Sequence, residues 1–557
     1  MTQRVLIVGW DGGTWDVFRP LAERGLMPRL KQLMNRGCFG VMNSTVPPVT
    51  PPAWTTLMTG LRPEKHGVFG FMEGMVSADT RRDAKARSRP VSSRSLRKRG
   101  LLDLLGDAGR HVMCINVPMT YPPRPVNGIM ICDFLSPSDA VDFTWPPELV
   151  DELDDYVIDA VHAATIEEAE AQRVSYTHEA YVKRCTEIIA KRVEVVCRLG
   201  AARPWDFAIT VFTGTDRVFH PLWPECVALA KRGVPATPMQ ELLLRLFEQL
   251  DEALGRLVDA FPDAVVMLTS DHGFQARASR AVYPDVRLEE RGFLVRTGGA
   301  RGRRLKGMVR RFVRGIIEKL LPSRLALRVL HKAADRQTRM AESVDRKRSV
   351  ACFAGFDGAT WGAVRLVEET TRTLSAEERA RLLDDLETCL VEMRDPDTDA
   401  KMVAAVHRRE VLFPDPVVDF LPELIVEFAP GYTGRVDPAA TRLVGPTPAD
   451  ALSGVHDVHG MFVLAGEPVK PAHEVAALHL ADVAPTVLHL CGLPVPTDMQ
   501  GDVPVALLAD EYLATHPVEK RDYGEDDSGA GDAGAGAYTP EQEEQVKNHL
   551  RHLGYIE

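Results

Sequence analysis

The chain has 557 residues, of which 45% are hydrophobic and 26% are charged. These values are typical of a globular protein with one large domain or a few ordinary ones. A formal net charge of -11 excludes nucleic-acid binding by bulk electrostatics, and no run reaches the roughly 20 apolar residues that span a bilayer. The nine dispersed cysteines include no CxxC pair, and the first apolar run is only one strand long. We therefore expect reduced thiols, no signal peptide and a cytoplasmic location.

Short apolar runs alternate with helical patterns along the first part of the chain. Residues 5–8 predict a buried strand. Residues 16–36 have a helical periodicity that ends at Gly37, a suitable helix C-cap. A short helix over 101–109 and a buried strand over 111–118 follow. This part of the chain therefore predicts two strands, each next to a helix.

The alternation continues after residue 145, where a helical pattern extends to about residue 200. The strand that carries Asp216 comes next, and a long helix over 236–260 leads to a further strand before Asp271. Strands that alternate with helices predict an α/β fold with a mostly parallel, doubly wound sheet. The helical stretch over about 140–200 is then an insertion into that sheet domain.

Three of the predicted strands end at a carboxylate. Asp11 follows VLIVGW, Asp216 follows FAITVFTGT, and Asp271 follows VVMLTS. In open α/β sheets the ligand binds outside the carboxyl ends of the strands. We therefore expect the three acids to meet at one edge of the sheet and to bind a cation there.

Residues 301–340 differ from their surroundings because they are strongly basic and amphipathic. They predict a second insertion, over about 300–350, for which two interpretations stay open. The segment either contacts an acidic membrane surface or an anionic substrate, or it forms a solvated helical hairpin at the edge of the sheet.

The end of the chain has a composition of its own. Residues 516–538 are rich in Gly, Ala and Asp and predict a flexible linker. Thr539 as N-cap, Pro540 in the first turn and Gly554 as a stop then predict a C-terminal helix within 539–557.

Histidines accompany two of the strand-end acids at spacings that suit a metal centre. Asp216 and His220 share one face if they lie in a helical turn, so both can reach one ion. Asp271 and His272 are adjacent, and Gly273 lets the backbone leave the strand so that both side chains serve one ion.

Two further segments complete the set of metal-binding and nucleophilic groups. GVHDVHG contains His456 and its rival His459, with Asp457 between them as a candidate orienting group. STVPPVTPPAWTTLMTG is rich in hydroxyl groups. A dinuclear hydrolase needs two cations about 4 Å apart, carboxylates and imidazoles that hold them, and a nucleophile beside them. The residues thus predict a metal-dependent enzyme.

Five motifs, in order, resemble those of the alkaline phosphatase superfamily, in its type I phosphodiesterase/nucleotide pyrophosphatase branch. VGWDGG resembles the first metal-Asp motif, VTPPAWTTLMTGLRPEKHGV the nucleophile motif, TGTDRVFH the Asp-x-x-x-His motif, SDHG the Asp-His motif and SGVHDVHGMFV the final histidine motif. ADVAPTVLHLCGLPVPTDMQG resembles the stretch that commonly closes the catalytic domain. The resemblance runs from residue 1 to about 510 and implies an alkaline phosphatase-like catalytic domain over 1–515 with the two insertions.

The resemblance implies two divalent metal ions and a threonine nucleophile, Thr50. One ion would be held by Asp216, His220 and His456. The other would be held by Asp11, Asp271 and His272, with Oγ of Thr50 as a further ligand. Zinc is the usual metal of this branch and suits nitrogen and oxygen ligands, while Mn²⁺ or Fe also fits.

The activity implied is hydrolysis of a phosphoric diester or a pyrophosphate bond in a small-molecule substrate, through a phospho-threonine intermediate. Two alternatives stay open. One is a phosphomonoesterase or phosphate-transferring relative on the same scaffold. The other is a non-catalytic member that binds a membrane surface or a polymer through the basic segment 301–340.

The chain departs from the family pattern at one position. The nucleotide pyrophosphatases carry an asparagine shortly after an HGI-like triplet, where it binds a phosphoryl oxygen, and HGVFGF places Phe71 there. Backbone N–H groups near Thr50, or the side chain of Asn116, are the candidate replacements for substrate binding. The sulfatase signature, Cys or Ser followed by x-Pro-x-Arg, is absent around residue 50, which argues against a sulfatase.

Overall fold

The computed structural model of the chain describes residues 3–73, 89–154, 156–159, 178–296, 344–356, 360–437, 439–447, 452–524, 536–553 and 555–556. The basic segment 301–340, with the membrane contact predicted for it, lies outside these residues. The described chain forms two compact units. The first comprises the described parts of Met1–Glu73, Arg89–Ala276 and Leu452–Ile556, and the second the described parts of Arg277–Ala451.

The α-helices, numbered in chain order, are α1 (Trp15–Glu23), α2 (Pro28–Arg36), α3 (Thr50–Thr59), α4 (Pro63–His66), α5 (Leu101–Asp107), α6 (His178–Ala202), α7 (Gly214–Arg232), α8 (Pro238–Ala260), α9 (Pro284–Glu290), α10 (Glu368–Thr371), α11 (Ala376–Val391), α12 (Arg409–Leu412), α13 (Val483–Leu490), α14 (Asp510–Thr515) and α15 (Pro540–Leu553). Within the predicted helical insertion, Pro147–Glu152 is a 3₁₀ helix that precedes α6.

The strands are β1 (Arg4–Trp10), β2 (Cys38–Asn43), β3 (Val112–Ile115), β4 (Gly128–Ile131), β5 (Thr144–Trp145), β6 (Phe207–Phe212), β7 (Ala264–Thr269), β8 (Gly273–Ala276), β9 (Arg280–Val282), β10 (Ala351–Gly355), β11 (Trp361–Leu366), β12 (Val403–Arg408), β13 (Leu424–Phe428), β14 (Tyr432–Gly434), β15 (Val444–Pro446), β16 (Gly454–Asp457), β17 (His459–Ala465), β18 (Ala472–Glu474), β19 (Leu478–His479), β20 (Val495–Pro496) and β21 (Lys520–Arg521).

The first unit is built on a large sheet with the strand order β18-β2-β17-β7-β1-β6-β3-β4-β5, and β19 lies beside β2. The central strand β1 runs parallel to both β6 and β7, and β3 runs parallel to β6 and β4. Only β17 and β5 run against their neighbours in this path. The carboxyl ends of β1, β2, β3, β6 and β7 therefore lie at one edge, and the predicted mostly parallel α/β fold is confirmed.

Burial explains why the central strands read as continuous apolar runs. The four residues from Val5 to Val8 are all at most 1% exposed. A strand whose successive side chains are all buried has both faces covered, unlike the alternating pattern of a strand with one wet face. β6 and β7 are likewise buried along their whole length.

The predicted helix over 16–36 is wrong in one respect, because the structure has two helices there. α1 ends at Glu23, and α2 begins at Pro28. Gly25 between them has a φ of +77°, a left-handed conformation that breaks a helix. The apolar periodicity continues across the break because both helices bury one face in the same core.

Gly37 lies directly after α2, but it is not a left-handed cap. Its φ is -135°, which any residue adopts. A methyl group at this position would lie 2.0 Å from the carbonyl oxygen of Leu464 in the neighbouring strand β17. Glycine is therefore needed here for close approach of two backbones rather than for helix termination.

The second unit has its own apolar core beside two small sheets. One sheet has the antiparallel order β10-β11-β13-β12, and the other has the order β14-β9-β15. Helix α11 packs on this core through Leu386 and Leu390, which are fully buried. The groups predicted to bind metal belong to the first unit.

Parts of the predicted linker belong to the folded body of the first unit. β21 pairs with β20, and the hydroxyl group of buried Tyr538 donates to the carbonyl groups of Val91 and Leu135. Residues 525–535, the centre of the predicted linker, lie outside the described residues. Helix α15 follows.

All nine cysteines lie in described residues and are free thiols, and eight of them are buried. Among the described helices, none combines the length and the apolar character that crossing a membrane requires.

We predict that Gly37→Ala lowers the free energy of unfolding by about 1–3 kcal/mol, because the added methyl group overlaps the backbone of β17. Gly106→Ala is the matched control. Gly106 lies inside α5, its added methyl group would meet Asn127 at an ordinary 3.6 Å, and alanine is the better helix former by up to about 1 kcal/mol. Urea unfolding of the two variants checks this, and equal midpoints would contradict the close approach at Gly37.

Candidate active site

The predicted nucleophile, Thr50, is the first residue of helix α3, which follows the carboxyl end of β2. Its side chain is fully buried, and its Oγ atom lies 3.5 Å from Nε2 of His272. Pro51 and Pro52 have no N–H group, and the N–H of Ala53 donates to a carbonyl group in the preceding turn. Within the first turn of α3, which the structure describes completely, only the N–H of Thr50 itself is left to face a ligand.

A first group of three side chains surrounds the position next to Thr50. Asp11 follows β1, and Asp271 and His272 follow β7. One ligand atom from each lies within 4.8 Å of the others. Nε2 of His272 lies 3.4 Å from Oδ2 of Asp271 and 3.7 Å from Oδ1 of Asp11. All three residues are at most 1% exposed.

A second group of three is formed by Asp216 and His220, one turn apart on α7, and His456 from β16. Oδ1 of Asp216 lies 3.3 Å from Nε2 of each histidine. His456 reaches the site because β16 pairs with β8, the strand that continues from the Asp-His pair. The rings of His456 and His272 stack at 3.8 Å, so the two groups adjoin.

The three carboxylates share one arrangement, in which the protein holds one oxygen and leaves the other without a hydrogen bond. Asp11 Oδ2 accepts from the indole of Trp54, and Asp271 Oδ1 accepts from the N–H of Gly12. Asp216 Oδ2 accepts from Arg217 at 3.0 Å. The remaining oxygens are buried and have no hydrogen-bond partner among the described residues: Asp11 Oδ1, Asp216 Oδ1 and Asp271 Oδ2.

The three imidazoles repeat this arrangement with nitrogen atoms. Each Nδ1 lies 2.9–3.2 Å from a backbone carbonyl oxygen, those of Pro48, Gly273 and Gly454. A carbonyl group only accepts, so each Nδ1 carries a proton, and in a neutral ring Nε2 then presents its lone pair to the site. Such a carbonyl partner commonly orients a metal-binding histidine.

Two of these lone pairs point toward each other. Nε2 of His220 and Nε2 of His456 are 3.0 Å apart, and neither carries a proton in the neutral ring. In two neutral rings, lone pairs at this distance would repel, and a cation bound to both nitrogen atoms would remove the repulsion. Together with the three buried carboxylate oxygens, the donor set fits a pair of divalent cations.

The pKa shifts of the three acids also indicate that the site needs positive charge. Burial, followed by repulsion from Asp271 and Asp216, raises the pKa of Asp11 well above its usual value. Burial and the charge of Asp216 also raise the pKa of Asp271. Burial opposes ionisation of Asp216 too, but the two neighbouring histidines outweigh burial and hold its pKa well below the usual range. Three buried acids so close together need positive charge to ionise together.

Burial, and then repulsion from His456, lowers the pKa of His272 well below its usual value. Burial also lowers the pKa of His456. A lowered pKa favours the neutral imidazole, which is the form that binds a metal.

The rival histidine, His459, stays outside the site. Its side chain is 63% exposed and pairs with Asp457 at 2.8 Å. Asp457 also accepts from Gln275, so the proposed orienting role of Asp457 toward His456 is wrong, and the carbonyl group of Pro48 has that place. His459 is the first residue of a strand whose next residue faces the core, and this turns it outward.

Asn116 lies at the same edge of the sheet, after β3, with a φ of +58°. Its Nδ2 donates to the carbonyl group of Val211 at 3.3 Å, and its buried Oδ1 has no hydrogen-bond partner among the described residues. The side chain thus has a structural bond to β6, and its role in substrate binding stays a prediction.

Three contacts of the site were not found from the sequence. Trp54 lies inside a recognised motif, but the motif did not indicate its role. The structure shows that its indole N–H donates to Asp11. Arg217 directly follows Asp216. A charged residue next to a strand end is the one sequence signal that could have indicated its place in the site. Tyr555, whose ring stacks on Phe71 at 4.4 Å, lies beyond the predicted linker and gave no signal.

Comparison with known proteins agrees with this geometry. The model of the family "Type I phosphodiesterase / nucleotide pyrophosphatase" matches residues 5–434. No curated protein matches the chain. Among solved structures, phosphonoacetate hydrolase from Sinorhizobium meliloti in complex with phosphonoformate is similar with a TM-score of 0.53 at 14% identity, over 88% of this chain and 95% of that chain. Human ectonucleotide pyrophosphatase/phosphodiesterase 5 is similar with a TM-score of 0.47 at 14% identity, over 91% of this chain and 100% of that chain.

The likeness to the solved hydrolase shows the fold, and the family model covers most of the chain in addition. The chain belongs to the type I phosphodiesterase/nucleotide pyrophosphatase family of hydrolases.

Proposed function

We propose that this chain hydrolyses phosphoric diester or pyrophosphate bonds with two divalent cations and with Thr50 as the nucleophile. The observation that carries the proposal is the shared arrangement of the six buried acids and histidines. Each is held by the protein through one atom and presents its other polar atom to the same space beside Thr50. Side chains packed only for stability have no reason to leave the three carboxylate oxygens among these atoms without partners.

Two groups of residues would hold the cations. One cation would be held by Asp216, His220 and His456, and the other by Asp11, Asp271 and His272 together with Oγ of Thr50. Zinc suits these nitrogen and oxygen donors best, and Mn²⁺ or Fe fits the same set.

The charge of the loaded site favours a diester. Three carboxylates and two divalent cations leave one net positive charge, which matches the single negative charge of a phosphodiester. A monoester carries nearly two. Arg217 is the neighbouring guanidinium, but it is buried against Asp159 at 3.2 Å and its charge is already balanced there.

When bound, the cations polarise the phosphoryl oxygens and make the Thr50 hydroxyl a stronger nucleophile. The Oγ atom of Thr50 would bond to phosphorus while the leaving-group oxygen departs with the electron pair of the broken P–O bond, and the proton of Thr50 would pass through solvent to that oxygen. Water then attacks the phospho-threonine, and Oγ leaves in turn. The partial positive charge at the start of α3 and the N–H of Thr50 face the developing negative charge.

Thr50→Ala is expected to lower turnover of bis-p-nitrophenyl phosphate by at least about a thousandfold, because no other group replaces a positioned nucleophile. Metal content, measured by atomic emission, should change little. Thr50→Ser is the matched control, since it keeps a hydroxyl group and should retain part of the activity. Turnover by the alanine variant near that of wild type would assign the nucleophile to another group.

Chelator treatment is expected to abolish turnover, and Zn²⁺ or Mn²⁺ should restore it. Asp216→Asn and Asp11→Asn should each lose about one of two bound ions per chain, because each removes an anionic ligand from a different group. Asp457→Asn is the control. It changes an acid next to His456 that faces Gln275 and His459 instead, so both ions should remain. A wild-type chain that binds no divalent ion would contradict the proposal.

We predict that kcat/KM is higher for bis-p-nitrophenyl phosphate than for p-nitrophenyl phosphate by at least about tenfold, or ~1.4 kcal/mol of barrier. The physical reason is the single net positive charge of the loaded site. Steady-state kinetics of the two substrates, with Thr50→Ala as background, measure the ratio. A faster reaction with the monoester would favour the phosphomonoesterase alternative, and no reaction with either would favour a binding function.

A further inference from the structure

Tyr555, which follows helix α15, lies beside the candidate active site. Helix α15 packs on the first unit through Val546 and Leu550, which are buried. After the helix, the N–H of Tyr555 donates to the carbonyl group of Leu550 at 3.0 Å, which turns the chain back. The Tyr555 ring then stacks on Phe71 with the planes 10° apart, and its edge faces His220 at 5.6 Å.

The hydroxyl group of Tyr555 has two partners, both at the second group of three side chains. It donates to Oδ2 of Asp216 and accepts from Nη1 of Arg217. The same nitrogen of Arg217 also donates to Oδ2 of Asp216. The other side of the guanidinium is held by Asp159, which in turn accepts from Thr213.

These contacts give the two oxygens of the Asp216 carboxylate different partners. Oδ2 receives a neutral and a charged donor, while Oδ1 faces the Nε2 atoms of His220 and His456. A carboxylate held at one oxygen by two donors cannot rotate freely, so its other oxygen is kept in place. Bonds of this kind to metal-binding side chains commonly change metal affinity by about 10–100-fold.

We propose that Tyr555 is a positioning residue of the candidate metal centre, which together with Arg217 fixes Asp216 with Oδ1 turned toward the two histidines. The inference rests on the proposed function, because it concerns the same centre. In this role Tyr555 supports the metal centre in addition to packing on the first unit.

An alternative reading is that the tail blocks the site against substrate. The hydrogen bonds argue against it. The inward atoms Asp11 Oδ1, Asp216 Oδ1 and Asp271 Oδ2 have no hydrogen-bond partner among the described residues. The Tyr555 hydroxyl therefore binds the outer oxygen of one acid and leaves every inward oxygen available.

The test compares Tyr555→Phe with Tyr538→Phe in the full chain. Both variants remove one hydrogen-bonded hydroxyl group from the same C-terminal segment, but the Tyr538 hydroxyl bonds only to backbone carbonyl groups. Zn²⁺ binding is measured by competition with a chromophoric chelator, and thermal unfolding is followed by circular dichroism. Tyr555→Phe is expected to weaken binding of one of the two ions by about tenfold and leave the other unchanged. Tyr538→Phe is expected to change only the melting temperature.

A second variant, Phe71→Leu, removes the ring on which Tyr555 stacks. The hydroxyl group of Tyr555 stays present in this variant. Phe71→Leu should weaken the binding of the same ion, but by a smaller factor than Tyr555→Phe. If the wild-type chain binds two ions and both Tyr555→Phe and Phe71→Leu bind Zn²⁺ with unchanged affinity, the inference about Tyr555 is overturned. The proposed function is not contradicted by that result. Faster turnover in Tyr555→Phe would overturn it in favour of a blocking tail. A wild-type chain without bound ions would instead contradict the proposed function.

Discussion

The site depends on burying three carboxylates side by side while keeping one oxygen of each free of hydrogen bonds. Isolated charges in a protein interior are costly, and like charges add repulsion. The protein meets part of this cost at the outer oxygens, where Trp54, Gly12 and Arg217 each supply a donor. The inward oxygens are left for a ligand of opposite charge. Cations bound as proposed would couple their binding to folding, since apolar packing alone does not compensate the acids.

The parallel sheet makes this convergence possible. β1, β6 and β7 are neighbours with matched registers, so Gly9 stands opposite Thr269 and Trp10 opposite Phe212. Residues just beyond these positions leave the sheet at the same edge. The sheet supplies the acids in this way, whereas His456 comes from the short β8–β16 ribbon that continues beyond β7. Rigid strands thus set the spacing of the carboxylates, and backbone carbonyl groups set the orientation of the imidazoles.

The sequence predicted the parts of the site that follow directly from strand ends and short spacings. Asp11, Asp216 and Asp271 came from the acids after apolar runs, and the order of the motifs identified the family. Burial decided between His456 and His459, which sequence spacing left open. The break at Gly25 was missed because two helices that share one core keep a single apolar period. Tyr555 was missed because no local pattern reveals where a chain returns after a composition typical of a linker.

The position of Phe71 connects the family departure with the end of the chain. A polar asparagine there would contact a phosphoryl oxygen, whereas Phe71 is 1% exposed and its ring lies flat against Tyr555. An aromatic pair of this kind adds about 0.5–1.5 kcal/mol beyond the area it buries. An asparagine would remove the stacking surface that Phe71 provides for the Tyr555 ring. Phe71 therefore supplies an aromatic surface for Tyr555 at the position where the family pattern places an asparagine.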